Sequence, residues 1–265
     1  MNFLEKILSS TREEIRKKKS ILPEAELRKL VQAAPPPISL KSAIQKANGM
    51  AIIAEMKKAS PSQGVICEKY DPHQIATSYA RNGATALSVL TDEKFFQGSI
   101  DHISRIRSEI DIPILRKDFI IHPYQILEAR GHGADAVLLI VAALDALNLR
   151  NLLSEIHVFG MDALIEVHNR QELETALETG GKLIGINNRN LESFEVDLGT
   201  TEQLAALIPE GIAIVAESGI HTVDDAQRMQ KVGVDALLIG THFMSQTSPG
   251  KALATFRKEL EKCFV

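Results

Sequence analysis

The sequence predicts an α/β fold: a (β/α)8 barrel of eight parallel strands, each followed by a helix, with a helical extension ahead of the first strand. Three observations predict it. First, "GATALSVL" at 83, "GADAVLLI" at 133, "GMDALIEV" at 160 and "GVDALLIG" at 233 share a Gly, a small or acidic residue, an Ala and then an apolar run. Such a joint is a helix closed by a left-handed Gly and followed directly by a buried parallel strand. Second, the stretches between the apolar runs, such as "DPHQIATSYARNG" and "TVDDAQRMQKVG", are amphipathic and open on residues that cap helices. Third, eight such units alternate strand with helix, which implies one parallel sheet of barrel size. An open, doubly wound sheet is the alternative. It would carry a Gly-rich dinucleotide loop after its first strand, and "MKKASPSQG" is not one.

Residues 1–48 stand outside this rhythm. They read as helices over 3–19 and 23–34, a rigid break at Pro35, Pro36 and Pro37, and a short helix over 39–48. So short a helical segment lacks an independent core, so it is expected to pack on the barrel of residues 49–265 within one domain. The basic run from Arg16 to Lys19, beside Glu13 and Glu14, reads as a solvated helix face. Strands follow over 51–57, 86–91, 112–117, 136–142, 162–167, 183–188, 212–217 and 236–241.

Composition narrows the partners. The 265 residues are 45% hydrophobic and 24% charged with a net charge of -4, so no basic surface for nucleic acid is expected. Cys67 and Cys263 stand far apart, as unpaired thiols of a reduced compartment. The segment "MNFLEKILSS" has no signal-peptide core, and no apolar run reaches the roughly 18 residues of a membrane span. A cytoplasmic protein without a membrane partner is therefore expected. The sequence is silent on its oligomeric state, and a monomer is the expectation with an oligomer left open. Eight histidines show no metal-ligand spacing, so no protein-held metal is expected.

In a barrel of this type the chemistry sits at the C-terminal strand ends and the loops after them. Those ends carry Glu55 and Lys57, then Thr91, Lys117, Glu166, Asn187 with Arg189, Glu217 with Ser218 and Gly219, and Gly240 with Thr241. Residues two apart share a strand face, so Glu55 and Lys57 project together, as do Asn187 and Arg189. Inward, at the barrel mouth, they can pair with one another or hold a ligand. Each alone could be a structural ion pair that closes the barrel top, but the set exceeds what structural pairing requires. The Gly-rich loops after strands 7 and 8 can bring backbone N–H groups to a phosphate, or can be ordinary turns. His168 reads as a structural or surface residue with a place near the mouth. Phe95 and Phe96 are loop packing or an aromatic wall.

Seven motifs are more particular than this general reading. "IAEMKKASPS", "LTDEKFFQGS", "PILRKDFI", "LIEVHN", "IGINNRNL", "VAESGI" and "LLIGTHFM" occur in order along the chain. With them the chain resembles the indole-3-glycerol phosphate synthase family of TIM-barrel enzymes over nearly its whole length. The last two motifs alone are shared by many phosphate-binding barrels.

The resemblance implies a lyase of tryptophan biosynthesis that needs no cofactor and acts on a small phosphorylated substrate, 1-(2-carboxyphenylamino)-1-deoxyribulose 5-phosphate. This is closed to an indole with loss of CO2 and water. By resemblance Lys117 is the general acid and Glu166 the general base. Lys57 is a second lysine that holds the substrate carboxylate or assists as an acid, and Glu55, Asn187 and Glu217 orient and hydrogen-bond. Arg189, Phe96, Phe119, Leu191 and Ser218 resemble residues beside the substrate. Ser60, Gly219, Gly240 and Thr241 resemble a phosphate cradle, with His242 next to it where relatives often have a small or apolar residue. The residues alone also fit a phosphate-sugar isomerase, a Schiff-base aldolase using Lys117 or Lys57, or a silent barrel that binds a phosphorylated ligand.

Overall fold

The computed structural model describes residues 2–263. Eight parallel strands close on themselves: β1 (Ala51–Met56), β2 (Ala86–Leu90), β3 (Ile114–Lys117), β4 (Ala136–Ile140), β5 (Asp162–Val167), β6 (Leu183–Asn187), β7 (Ala213–Glu217) and β8 (Ala236–Ile239). Neighbours in sequence are neighbours in the sheet, and β1 pairs with β8 to complete the ring. No edge is left, which removes the open-sheet alternative.

Ahead of the barrel lie α1 (Phe3–Ile21), α2 (Glu24–Ala33) and α3 (Leu40–Gln45). Helix α1 starts at a reciprocal cap in which the side chains of Asn2 and Glu5 each accept from the other's backbone N–H. The principal crossover helices are α4 (Pro72–Arg81), α5 (Glu93–Phe96), α6 (Asp101–Arg107), α7 (Pro123–Gly131), α8 (Ala146–Val158), α9 (Arg170–Glu178), α10 (Gly199–Ala205) and α11 (Val223–Lys231). After β8 come α12 (Thr241–Met244) and α13 (Pro249–Lys262). Gly83, Gly133, Gly160 and Gly233, which open the four repeats, all have positive φ, so the helix-to-strand joint is built as the repeat implies.

Strand alternation splits the apolar residues into two cores. Ala51, Ile53, Leu115, Leu138, Leu164 and Val215 fill the barrel interior. Ile52, Ala54, Leu87, Val137, Ile165 and Ala216 face outward beneath the helices. Following the inward face to the end of each strand reaches Glu55, Leu90, Lys117, Ile140, Glu166, Asn187, Glu217 and Gly240. Polar side chains therefore replace apolar ones where the interior opens to the loops.

Two expectations from the sequence change here. Thr91 is not at the mouth: Leu90 holds the inward position, and Thr91 turns outward to donate to Asp118 and accept from Arg116 Nε at 3.0 Å. The basic run is only partly solvated. Arg16 and Lys17 are exposed, whereas Lys18 lies 3.3 Å from Glu128 on α7 and Lys19 3.3 Å from Glu24 on α2. Cys67 and Cys263 are both free thiols. Among the described residues no helix is long and apolar enough to cross a membrane.

Candidate active site

Every residue that the resemblance assigns to the site lines one cavity of about 200 Å³ at the C-terminal end of the strands. On one side Glu55 and Lys57 pair at 2.8 Å. At the centre Lys117 Nζ lies 3.0 Å from Glu166 Oε2 and 3.3 Å from Glu217 Oε2, joining β3 to β5 and β7 across the barrel. Asn187 donates its amide to Glu166 Oε1 at 3.1 Å, and Asn187 Oδ1 accepts the Arg189 backbone N–H at 3.0 Å. That second bond fixes which way the Asn187 amide points. Arg189 itself donates to the Phe194 carbonyl at 2.9 Å.

Two interior glycines make room for two of the carboxylates. A Cβ at Gly240 would run into the Glu55 carboxylate, and a Cβ at Gly185 into that of Glu217. The need for Gly240 thus has a reason besides access of a ligand to the backbone. Beside it, Ser218 and Gly219 both have positive φ, at 65° and 80°. For Ser218 this is an uncommon conformation, stored in the turn that leads from β7 into the loop facing the cavity.

Burial acts against every charge in this cluster, and the partners decide the outcome. Burial alone would lower the Lys117 pKa, but Glu166, Glu217 and Glu55 hold it well above the usual lysine range. Burial alone would raise Glu166, but Lys117 and His168 pull it well below the usual carboxylate range. Glu217 shares Lys117 and has no further cation, so burial and the nearby Glu166 charge push it up to about 8. The two carboxylates around one ammonium are thus pushed in opposite directions, Glu166 toward its ionised form and Glu217 toward its protonated form.

Much of the remaining lining is apolar, with Asp92 and Asp118 also in it. Phe96 and Phe119 stand 6.3 Å apart between ring centroids, with Leu191 also in the lining. Asp92 caps the short helix α5 by accepting the N–H groups of Phe95 and Phe96, which aims Phe96 at the cavity while Phe95 packs edge-on against Phe3. Ser60, Gly219, Gly240 and Thr241 line the cavity as well. Ser60 belongs to a small hairpin in which residues 59–60 pair with 64–65.

A sequence profile described as indole-3-glycerol phosphate synthase matches residues 4–256. The chain belongs to the indole-3-glycerol phosphate synthase family. Relatives bearing that name include one from Roseiflexus sp. (strain RS-1), 49% identical over 90% of this chain and 91% of its own. Another from Rippkaea orientalis is 50% identical, with 96% of this chain and 89% of its own covered. A third from Bordetella pertussis is 48% identical, with 96% and 98% covered. Among solved structures, KGPDC from Streptococcus mutans superposes with a TM-score of 0.61 at 13% identity, covering 82% of this chain and 99% of its own. At that identity the likeness speaks for the barrel fold alone.

Part of this synthase-family cavity was not legible in the sequence. Phe3, Leu4 and Ile7 of α1 line it, as do Phe194 and His221. The α1 residues carried no signal of this, because a contact between the chain's start and the mouth of a barrel is not local. His168 did carry one: it has the same strand parity as Glu166, and its Nε2 lies 3.3 Å from Glu166 Oε1.

Proposed function

We propose that the protein closes 1-(2-carboxyphenylamino)-1-deoxyribulose 5-phosphate to indole-3-glycerol phosphate with loss of CO2 and water. The observation that carries this reading is Lys117 held between Glu166 and Glu217 in one apolar-walled cavity, in a chain of this family. The Lys117 ammonium protonates the ribulose carbonyl as the aromatic carbon attacks it, and loss of CO2 restores the ring. In the dehydration that follows, Glu166 takes the anilino proton while an ammonium protonates the departing hydroxyl. Lys57 and Arg189 supply the cations for the substrate carboxylate, and Glu55 and Asn187 hold Lys57 and Glu166 in place. Phe96, Phe119 and Leu191 cover the aromatic ring. Ser60, Ser218, Gly219, Gly240 and Thr241 hold the phosphate end, where a dianion finds hydroxyl and backbone donors.

A Schiff-base aldolase is a poorer fit. An amine must be neutral to attack a carbonyl, and Lys117 is held charged, above all by the Glu166 carboxylate 3.0 Å away. We further propose that residues 1–48 belong to the same catalytic unit, since α1 lines the cavity, and that the enzyme is a cytoplasmic monomer, as its unpaired thiols suggest for the compartment. Sedimentation at the mass of one chain would agree with the last point.

Purified protein is expected to turn the carboxyphenylamino-ribulose phosphate into a product with indole fluorescence. Lys117→Ala should cost about 10²–10⁴ in kcat, the usual worth of a general acid, with substrate still bound. Absence of the fluorescent product from the wild type would sink the reading, and normal turnover in Lys117→Ala would remove that lysine from the chemistry.

A further inference from the structure

Glu166 does not end at the reaction chamber. Its Oε1 lies 3.3 Å from His168 Nε2, an ion-pair distance without hydrogen-bond geometry that leaves this buried ring nitrogen aimed at the carboxylate, and His168 Nδ1 lies 3.0 Å from Glu172 Oε2 on α9. Exposure rises along this line, from 2% for the Glu166 side chain to 11% for His168 and 18% for Glu172. At its outer end is a second cavity of about 300 Å³, bounded by Asn2, Ala142, Asn169, Asn190 and Glu192. Leu4 and Leu191 line both cavities and so form the wall between them. The three titratable side chains bridge that wall.

A helix cap accounts for only part of this arrangement. Glu172 accepts the His168 backbone N–H at 2.8 Å and the Asn169 amide at 2.7 Å, which closes the turn from β5 into α9. Those bonds need no imidazole. The ring is a further element, and it is the one that reaches Glu166.

The proposed reaction supplies a reason, and the inference rests on that reading. The substrate carboxylate is anionic and leaves as neutral CO2. Two protons are donated, one to the carbonyl and one to the departing hydroxyl, while one is taken from the anilino group. Each turnover therefore draws one proton from solvent. Glu166 is 1% exposed, and the Lys117 side chain, at 15%, opens only to the cavity that the substrate fills during a turnover, so a path that does not run through that cavity can recharge them while it is occupied.

We propose that Glu172, His168 and Glu166 form a relay that carries this solvent proton from the cavity beside α9 to Lys117. Glu172 accepts a proton from water at the outer cavity. The His168 imidazolium passes its Nε2 proton to Glu166 and takes the one on Glu172 at Nδ1. Glu166 then hands that proton to the Lys117 amine left by the carbonyl step, across their 3.0 Å contact. Lys117 gives it to the departing hydroxyl and is recharged by the anilino proton that Glu166 takes, so every group ends as it began. Burial alone would lower the His168 pKa, but Glu166 and Glu172 raise it to about 10, so the relay is charged before a turnover starts. The charged groups around it are Glu166 on β5, Lys117 on β3 behind it, Glu172 on α9 and Glu192 across the outer cavity.

The test compares the indole-forming kinetics of three variants with the wild type. His168→Ala should lower kcat about tenfold with KM little changed, and added imidazole should restore it, since the small base enters the space the ring leaves. His168→Gln keeps a polar side chain that cannot shuttle a proton and should show the same loss without rescue. Glu172→Gln keeps one oxygen for the cap and should also lower kcat, which reads the relay even if a His168 variant folds poorly. Wild-type kcat in His168→Gln and Glu172→Gln, or a loss in folded His168→Ala that imidazole does not reverse, would overturn the relay while product formation by the wild type leaves the synthase reading standing. No product from the wild type would overturn both.

Discussion

Glu166 and Glu217 are both about 1% exposed, both lie within 3.3 Å of Lys117, and yet their pKa values are pushed in opposite directions. The difference comes from their other neighbours. Glu166 has the Asn187 amide and the His168 ring on its second oxygen, whereas Glu217 Oε1 has no hydrogen-bond partner among the described residues. Two carboxylates around one ammonium cannot both ionise cheaply out of water, so the better-solvated one takes the charge. Above pH 8 Glu217 should lose its proton and add a negative charge to a mouth that must accept an anionic substrate. The expected outcome is a basic limb in kcat/KM near pH 8, carried by a rising KM. Glu217→Gln mimics the neutral acid at every pH and should move that limb upward. An unmoved limb in this variant would assign it to another group. Which carboxylates face inward was readable from strand alternation; which of them is charged was not, because it depends on contacts between strands 3, 5 and 7 that no local pattern encodes.

At the scale of elements, the clearest sequence signal was the Gly-ended joint between helix and strand, and the eight strands lie where it implies. The short helices α5 and α12 were not legible, since four residues show no periodicity and are set by the Asp92 cap and by the turn after Gly240. Nor was the outward neighbour of Lys117. Arg116, the residue before it on β3, points beneath the helices, where an unpaired charge would be very costly. It is fully buried and answered on every side: by Asp118 at 2.9 Å, by Glu128 on α7 at 2.8 Å, by Thr91, and by the Gln125 carbonyl at 2.8 Å. Glu128 in turn meets Lys18, so the strand that carries the proposed acid is tied through α7 to α1. Removing one member strands the others. Arg116→Met should cost about 3–5 kcal/mol of stability in urea unfolding, the usual result of breaking a buried pair. Lys18→Ala, at the partly exposed rim, should cost about 1 kcal/mol or less. Equal losses would show that the network's strength lies at the α1 contact rather than beneath β3.

For the molecule as a whole, the same buried groups that serve the proposed chemistry make its stability depend on pH. Glu217 is raised from an ordinary 4.5 to about 8, and His168 from 6.5 to about 10. Each binds its proton more tightly folded than unfolded, so each contributes stability that is full below the ordinary value and lost as pH rises through the folded one. Glu166 is lowered, so its contribution is present above 4.5 and is lost only in acid. His102, His122, His132 and His242 are held below 6.5 by burial, so just above that value the unfolded chain still gives up protons that the folded chain does not hold, which offsets part of the fall by up to about 0.4 kcal/mol each. Between pH 6.5 and 8 the native state thus keeps two protons, on Glu217 and His168, that the unfolded chain gives up. At about 1.4 kcal/mol per proton and pH unit these two groups should cost about 3 kcal/mol over this window, and the four histidines reduce the net fall to about 2 kcal/mol. Denaturant unfolding at the two pH values measures it directly. Glu217→Gln should remove about 1.5 kcal/mol of the fall, and combination with His168→Gln should leave stability level or rising with pH. A wild type more stable at the higher value would mean that neither group carries its proton in the folded barrel, which would also remove the basic limb expected in the kinetics.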